Sequence, residues 1–271
     1  MTKEFFRFNP IEEARESSKI SLDTFTMDKH NKLDYPIDKL IKNSKIEIEK
    51  IHTENAKLRD MKKNDSDRYN ELDEIAQQTG HSLWIQEFEN FESIWYLEDE
   101  LFAMYEMKII YAFKHLEINM KKLISSAYKD ASVNKQFKWE NLKQYMNQKN
   151  IDVNTIKGYV EVNQLREVNN SLKHSNDHNV FLKKYFKEGQ ESVVTYDVLE
   201  LFYNKVKNHP NIFLKDLAYK ISKDLYEFDE DKITNIAKSL ALRMDQATAQ
   251  KVSEKLLNYY KGPYYKKNED L

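Results

Sequence analysis

The pattern of apolar and polar positions predicts helices along almost the whole chain. Between residues 82 and 129, apolar side chains recur every three or four positions, which is the period of one helix face. So wide a stripe predicts a long helix at the centre of a bundle, although an aromatic cofactor box is an alternative interpretation. Its members are Trp84, Phe88, Phe91, Trp95, Leu97, Leu101, Tyr105, Ile109, Phe113, Leu116, Met120, Leu123 and Ile124.

Two segments precede this predicted central helix. Residues 1–35 combine aromatic and mixed polar positions, which predicts an irregular arm containing at most one short helix. Residues 36–80 predict a long, strongly charged helix whose thin apolar stripe suits an outer bundle helix or a coiled-coil arm. The run from Lys62 to Asp67 interrupts or exposes this helix, and Gly80 is expected to end it.

A further helix, predicted at Val160–His174, separates an apolar edge from a polar edge. At 100° per residue the apolar side chains cluster in a narrow arc: Val162, Leu165, Val168 and Leu172. The opposite edge offers a guanidinium, amides, an ammonium and an imidazole, which suit an anionic or polar partner. These side chains are Asn163, Arg166, Asn170, Lys173 and His174.

Composition agrees with a helical fold. Four glycines and four prolines are few for 271 residues, and sheets joined by tight turns need more of both. Residues 189–271 predict further helices after a short extended piece. We therefore predict an all-α protein with an irregular arm at 1–35, a long charged helix at 36–80, a helical bundle at 81–188 and a C-terminal helical region at 189–271.

Charge and missing residue types narrow the possible functions. A net charge of −2 gives no global attraction to nucleic acid, so any such contact requires a local patch. The chain has no cysteine and no glycine-rich phosphate loop, which excludes thiolate metal sites and P-loop or Rossmann chemistry. We expect no cofactor, no metal, no membrane contact and a cytoplasmic location.

The polar edge is the best candidate for chemistry. Arg166, Asn170 and His174 follow one another at intervals of four residues and line one ridge. A histidine at a helix C-terminus could act as a general acid or base on a phosphodiester, with Arg166 and Lys173 holding the phosphate. RNA would be the natural substrate because its 2′-hydroxyl supplies an internal nucleophile. A solvated helix face or a dimer surface explains the same residues without chemistry, and a metal at His174 and His178 is a weaker alternative.

The run LREVNNSLKH, at residues 165–174, resembles the signature of the HEPN (higher eukaryotes and prokaryotes nucleotide-binding) superfamily. Many members end a bundle helix with an arginine, then a polar residue such as asparagine, then a histidine about five positions after the arginine. The order of helices is also similar, over about residues 82–186. The resemblance implies a metal-independent endoribonuclease of toxin–antitoxin, abortive-infection or CRISPR systems, whose homodimer joins two motifs into one composite site.

The resemblance assigns roles to individual residues. His174 and Asn170 match the family's histidine and polar residue, whereas Asn169 stands where the arginine is expected and Arg166 lies one turn earlier. Either Arg166 substitutes for that arginine, or the site binds RNA without cutting it. The candidate catalytic residues are Arg166, Asn170 and His174, and the candidate binding residues are Asn163, Asn169 and Lys173.

Two functions compete on these observations. The first is an RNA-directed HEPN-like protein, either an endoribonuclease or an RNA-binding component of a bacterial antiphage or toxin system. The second is a non-catalytic assembly protein that dimerises and binds a protein partner through residues 36–80 or the C-terminal region. A conventional metabolic enzyme is a third possibility, and it lacks any supporting motif.

Overall fold

A computed structural model describes residues 6–27, 34–128, 138–174, 181–186, 194–260 and 264–266. In these ranges the protein is helical except for one short strand pair, which confirms the all-α fold class predicted from the hydrophobic pattern. The helices are α1 (Pro10–Asp23), α2 (Asp34–Asn64), α3 (Ser66–Gln78), α4 (Leu83–Ala127), α5 (Trp139–Gln148), α6 (Tyr159–His174), α7 (Tyr196–Val206), α8 (His209–Tyr226), α9 (Glu230–Ala241) and α10 (Gln246–Asn258). Short 3-10 turns lie at Val153–Thr155 and Lys183–Tyr185, and strands β1 (Phe6–Phe8) and β2 (Tyr264–Lys266) pair antiparallel.

Capping residues explain where two of the helices begin. The Asn9 side chain accepts a hydrogen bond from the Ile11 amide at 3.0 Å, and Pro10 occupies the first position of α1. Residues 10–23, predicted within an irregular arm, therefore form a regular helix. The Asp65 side chain accepts from the Arg68 amide at 3.4 Å, so the predicted helix at 36–80 is two helices, α2 and α3.

The chain folds into two compact units, and each is discontinuous in sequence. The terminal unit contains Met1–Asp28, Ile118–Lys157 and Asn211–Leu271, and the α2 unit contains Lys29–Glu117 and Gly158–Pro210. These units cut across the four continuous segments predicted from the sequence, and the predicted bundle at 81–188 contributes to both. A helix of 45 residues such as α4 is about 67 Å long at 1.5 Å per residue, more than one small core covers.

The core of the α2 unit is built from the apolar edges of four helices. Leu101 and Ile109 of α4, together with Leu199 and Phe202 of α7, are fully buried in it. The predicted apolar edge of α6 is buried there too, through Leu165 and Val168, and α2 adds Ile37, Ile41, Ile48 and Ile51. Burial of one edge of α6 fixes the direction in which its polar edge points.

The terminal unit has a separate core. Buried side chains from the end of α4, from α5 and from α8 form most of it: Met120, Leu123, Ile124, Leu142, Met146, Phe213, Leu214, Leu217 and Ile221. By contrast, α9 and α10 contain no buried residue. Their apolar side chains, among them Leu240 and Leu256, are exposed.

The prediction that the whole apolar stripe of α4 is core is wrong for its first half. The members of the stripe from Leu101 onwards are buried or partly buried. By contrast, Trp84 is 66% exposed, Phe88 60%, Phe91 47% and Trp95 61%. Here α4 buries Leu83 and Ile94 instead, about a quarter turn away from the aromatic stripe at 100° per residue. A shared period shows that side chains occupy one face, and the neighbouring helices decide whether that face is covered.

Two leucines of α7 provide a matched test of this fold. Leu199 is fully buried and Leu201 is half exposed on the same helix. We expect Leu199→Ala to lower the free energy of unfolding by about 2–5 kcal/mol, because it removes buried methyl groups and leaves a cavity. Leu201→Ala should cost less than about 1 kcal/mol. Urea denaturation followed by circular dichroism measures both, and equal losses would contradict the assigned face of α7.

Candidate functional site

The helix that carries the predicted polar ridge, α6, begins directly after a turn at Gly158. Gly158 precedes the helix with a φ of +80°, a left-handed conformation that favours glycine. Its carbonyl oxygen accepts the hydrogen bond from the Val162 amide at 3.0 Å, so this turn leads directly into α6. Val162, Leu165 and Val168 are then fully buried, which places the predicted polar ridge on the other side of the helix.

The first half of this polar ridge is engaged in contacts within α6. The Arg166 side chain is 20% exposed, and its guanidinium forms an ion pair with the Glu167 carboxylate. Its Nε atom also donates a hydrogen bond to Asn163 Oδ1 at 3.3 Å. Asn163 and Arg166 are therefore close together, as predicted, but the positive charge of Arg166 is balanced by its neighbour.

Asn169 lies inside the fold and not on the ridge. Its side chain is 1% exposed, and its Nδ2 atom donates a hydrogen bond to Asn170 Oδ1 at 3.1 Å. Among the described residues, the Oδ1 atom of Asn169 accepts no hydrogen bond. The position at which the HEPN resemblance expects an arginine is thus occupied by a buried amide. Its place as a direct binding residue is not supported by this geometry.

The second half of the ridge is open to solvent. Asn170, Lys173 and His174 are exposed on the last two turns of α6, and His174 is the final residue of the helix. We call these three residues the α6 tip. Lys173 and His174 lie at the negative end of the helix dipole, which favours positive charge. The tip presents an amide, an ammonium and an imidazole, and these can bind an anion. His178 lies outside the described residues, so the alternative metal pair stays a prediction.

A second polar cluster, which the sequence did not predict, lies within the α2 unit. A cavity of about 450 Å³ is lined by side chains of α2, α4 and α7, among them Asp34, Asp38, Lys45, Tyr105, Lys108 and Glu200. Lys108 is 5% exposed although it carries a charge. A single lysine in an otherwise apolar or acidic stretch of α4 is the sequence signal that could have indicated this buried cluster.

The charged side chains named in this cluster are paired with one another. Lys108 contacts the carboxylates of Asp38 and Asp34, and its Nζ atom lies 4.5 Å from the centre of the Tyr203 ring. The Tyr203 hydroxyl donates to Asp34 at 2.6 Å. Such pairing offsets the cost of burying an ammonium group and holds α2, α4 and α7 together.

Glu200 completes the cluster. It accepts hydrogen bonds from Lys45 Nζ and from the Tyr105 hydroxyl, each at 2.6 Å. Burial, and then the hydrogen bond to Glu200, raise the pKa of Tyr105 well above that of an ordinary tyrosine. The phenol therefore stays protonated and continues to donate. The groups of this cluster bind one another, which favours a role in stability over a role in chemistry.

Metal sites and membrane spans are not found in the described part of the chain. Across the described ranges, no cluster of three or more histidine, aspartate or glutamate side chains could hold a metal ion. None of the described helices combines the length and the apolar character needed to cross a membrane. Comparisons with protein-family models, with curated proteins and with solved structures gave no match. The function must therefore be inferred from the residues of this chain.

The buried cluster predicts that removing its acids and removing its lysine have unequal effects on the free energy of unfolding. Asp34→Asn/Asp38→Asn leaves the buried Lys108 charge without a counter-ion, whereas Lys108→Met leaves two carboxylates that are partly exposed. We expect the double variant to lose about 3 kcal/mol of unfolding free energy, and Lys108→Met to lose less than about 1.5 kcal/mol. The combined triple variant should recover most of the loss. Urea denaturation of the four proteins tests this, and a larger loss for Lys108→Met would contradict the assigned pairing.

Proposed function

We propose that the chain is an RNA-binding, HEPN-like component of a bacterial antiphage or toxin system, and that it contacts RNA through the α6 tip. The observation that carries the proposal is the joint exposure of Asn170, Lys173 and His174 on one edge of α6. The opposite edge of the same helix is buried, so the tip is held on a fixed support. Resemblance of LREVNNSLKH to the HEPN signature supports the same conclusion.

The contacts of Arg166 favour binding without cleavage. A cutting site needs donors aimed at the charge that develops in the transition state. The guanidinium of Arg166 instead faces Glu167, and Asn169 replaces the expected arginine with a buried amide. The tip retains groups that can bind a phosphate and the edge of a base. We therefore interpret the divergent motif as a binding motif.

Single-stranded RNA is the class of ligand that best fits the tip. One lysine and one histidine can contact few phosphates, so the electrostatic contribution is small. An amide and an imidazole can reach the edges of unpaired bases, which a duplex hides in its narrow groove. A homodimer, as the resemblance implies, would present two tips to one RNA and strengthen binding through multivalency.

Assembly with a protein partner is a second candidate function. One specific observation favours it, namely the four exposed aromatic side chains on the first half of α4. Exposed aromatic surface of this extent is typical of protein interaction sites. The two candidate functions use different helices of the α2 unit, α6 and α4, and are tested separately.

Binding to RNA can be measured by fluorescence anisotropy with a labelled single-stranded RNA of about 20 nucleotides. We expect Lys173→Ala/His174→Ala to raise the dissociation constant about tenfold, because it removes both the phosphate contacts and the imidazole that reaches a base edge. The dependence of log Kd on log salt should also become shallower, by about 0.7 for each phosphate that the variant no longer neutralises. Lys50→Ala/His52→Ala on α2 is the matched control, since it removes the same two residue types from exposed positions of another helix.

Incubation of the same RNA with the protein in EDTA separates binding from cutting. We expect intact RNA with the native protein and with Arg166→Ala. Cleavage that disappears in Arg166→Ala/His174→Ala would contradict the binding interpretation and identify an endoribonuclease. Equal affinities of the tip variant and its α2 control would overturn the proposed RNA-binding role of the tip.

A further inference from the structure

The first half of α4 carries a continuous aromatic stripe within the α2 unit. Trp84, Phe88, Phe91 and Trp95 lie within an arc of about 60° at 100° per residue. They span about 17 Å of helix at 1.5 Å per residue. The rings of Trp84 and Phe88 are stacked with their centres 6.2 Å apart, and Phe91 and Trp95 continue along the same face of the helix.

This stripe is large enough for specific recognition. Four aromatic side chains of about 200 Å² each, exposed by half to two thirds, present roughly 500 Å² of apolar surface. That value lies at the upper end of the patches found on monomeric proteins. It also approaches the roughly 800 Å² that one partner buries in a standard interface, and the side chains beside the stripe would supply the remainder.

Carboxylates border the stripe on both sides. At 100° per residue, Glu92 and Asp99 fall along one side, and Glu87 and Glu98 fall along the other. The segment 83–107 contains seven acidic residues and no lysine, arginine or histidine. The surface is therefore aromatic in the centre and negatively charged at its edges.

The chain itself shows which chemistry this surface accepts. The Arg59 guanidinium of α2 lies 5.1 Å from the centre of the Phe91 ring, and its Nε atom lies 3.6 Å from the Glu87 carboxylate. One cation thus contacts an aromatic ring of the stripe and a bordering carboxylate together. The other bordering acids, Glu92, Glu98 and Asp99, are exposed and available to further cations.

We propose that this acidic aromatic face of α4 binds a cationic amphipathic helix of a partner protein. Apolar residues of that helix, spaced three and four apart, cover the four rings. Its lysine and arginine side chains then meet the carboxylates on either side, as Arg59 does within the chain. This inference names the chemical class of the partner in the second candidate function, assembly, and it rests on that function. It is independent of RNA binding by the α6 tip.

Charge distinguishes this occupant from the alternatives. In a twofold contact with a second copy, the same surface meets itself, so acidic rows would face acidic rows and repel. Nucleic acids and anionic membranes are repelled for the same reason. Helices that lie on membranes carry lysine and arginine on their polar face, whereas the face of α4 carries acids.

The probe for the test is a fluorescein-labelled peptide of 18 residues with leucines at helical spacing and lysines beside them. Two comparison peptides keep its length: one replaces the lysines with glutamates, and one scrambles the order so that no apolar face forms. Anisotropy titrations with the full chain give the three affinities. We expect a roughly micromolar dissociation constant for the cationic peptide, at least tenfold tighter than for either comparison peptide.

Variants of the protein locate the binding site. Trp84→Ala/Trp95→Ala should weaken binding of the cationic peptide at least tenfold, because aromatic anchors dominate such interfaces. Glu92→Gln/Glu98→Gln should weaken it several-fold and reduce its dependence on salt. The matched controls are Tyr219→Ala, another exposed aromatic, and Glu71→Gln/Glu74→Gln, two exposed acids of α3. Both controls should bind like the native protein.

Three results would overturn the inference. One is equal binding of the cationic and the acidic peptide, and another is full binding by Trp84→Ala/Trp95→Ala. The third is a dimer, measured by analytical ultracentrifugation, that these two substitutions convert to a monomer. In that last case a second copy, and not a cationic helix, would occupy the stripe, and the assembly function would still stand. If neither a peptide nor a second copy binds the stripe, the inference and the assembly function both fail.

Discussion

The α6 tip and the aromatic face of α4 both depend on one constraint. Each of these helices buries one edge in the core of the α2 unit. Because the helix repeats every 3.6 residues, the angles between its edges are fixed. Burial of one edge therefore determines the direction in which the other edges point. Leu165 and Val168 fix the α6 tip in this way. Ile94 and Leu101 fix the aromatic face of α4 by the same rule. Both candidate binding surfaces follow from one packing arrangement.

Charge pairing adds a second level of order to this arrangement. Lys108 and Glu200 bring acidic and basic groups of α2, α4 and α7 into mutual contact. Partners within hydrogen-bonding distance offset the cost of taking these charges out of water. The pairing also explains why this polar cluster is a weaker functional candidate than the α6 tip. Its groups contact one another, whereas those of the tip face solvent.

The sequence predicted the fold class and the buried edge of α6 because both depend on short-range periodicity. It could not predict the exposed state of Trp84 and Trp95, since exposure depends on which helices pack against α4. The ion pair of Arg166 with Glu167 also depends on rotamers that the sequence does not specify. Lys108 shows the same limit, because its counter-ions lie about 70 residues away on α2. The HEPN membership and the composite dimer site stay predictions.

Hydroxyl-radical footprinting of the full chain tests most directly which helix edges are open. We predict rapid oxidation of Trp84, Phe88 and Trp95 in the free protein, and slow oxidation of the buried Tyr105 and Phe202. Single-stranded RNA should then protect His174 while the α4 aromatics stay reactive. Slow oxidation of Trp84 and Trp95 in the free protein, or protection by RNA on α4 in place of α6, would contradict this assignment of the two faces.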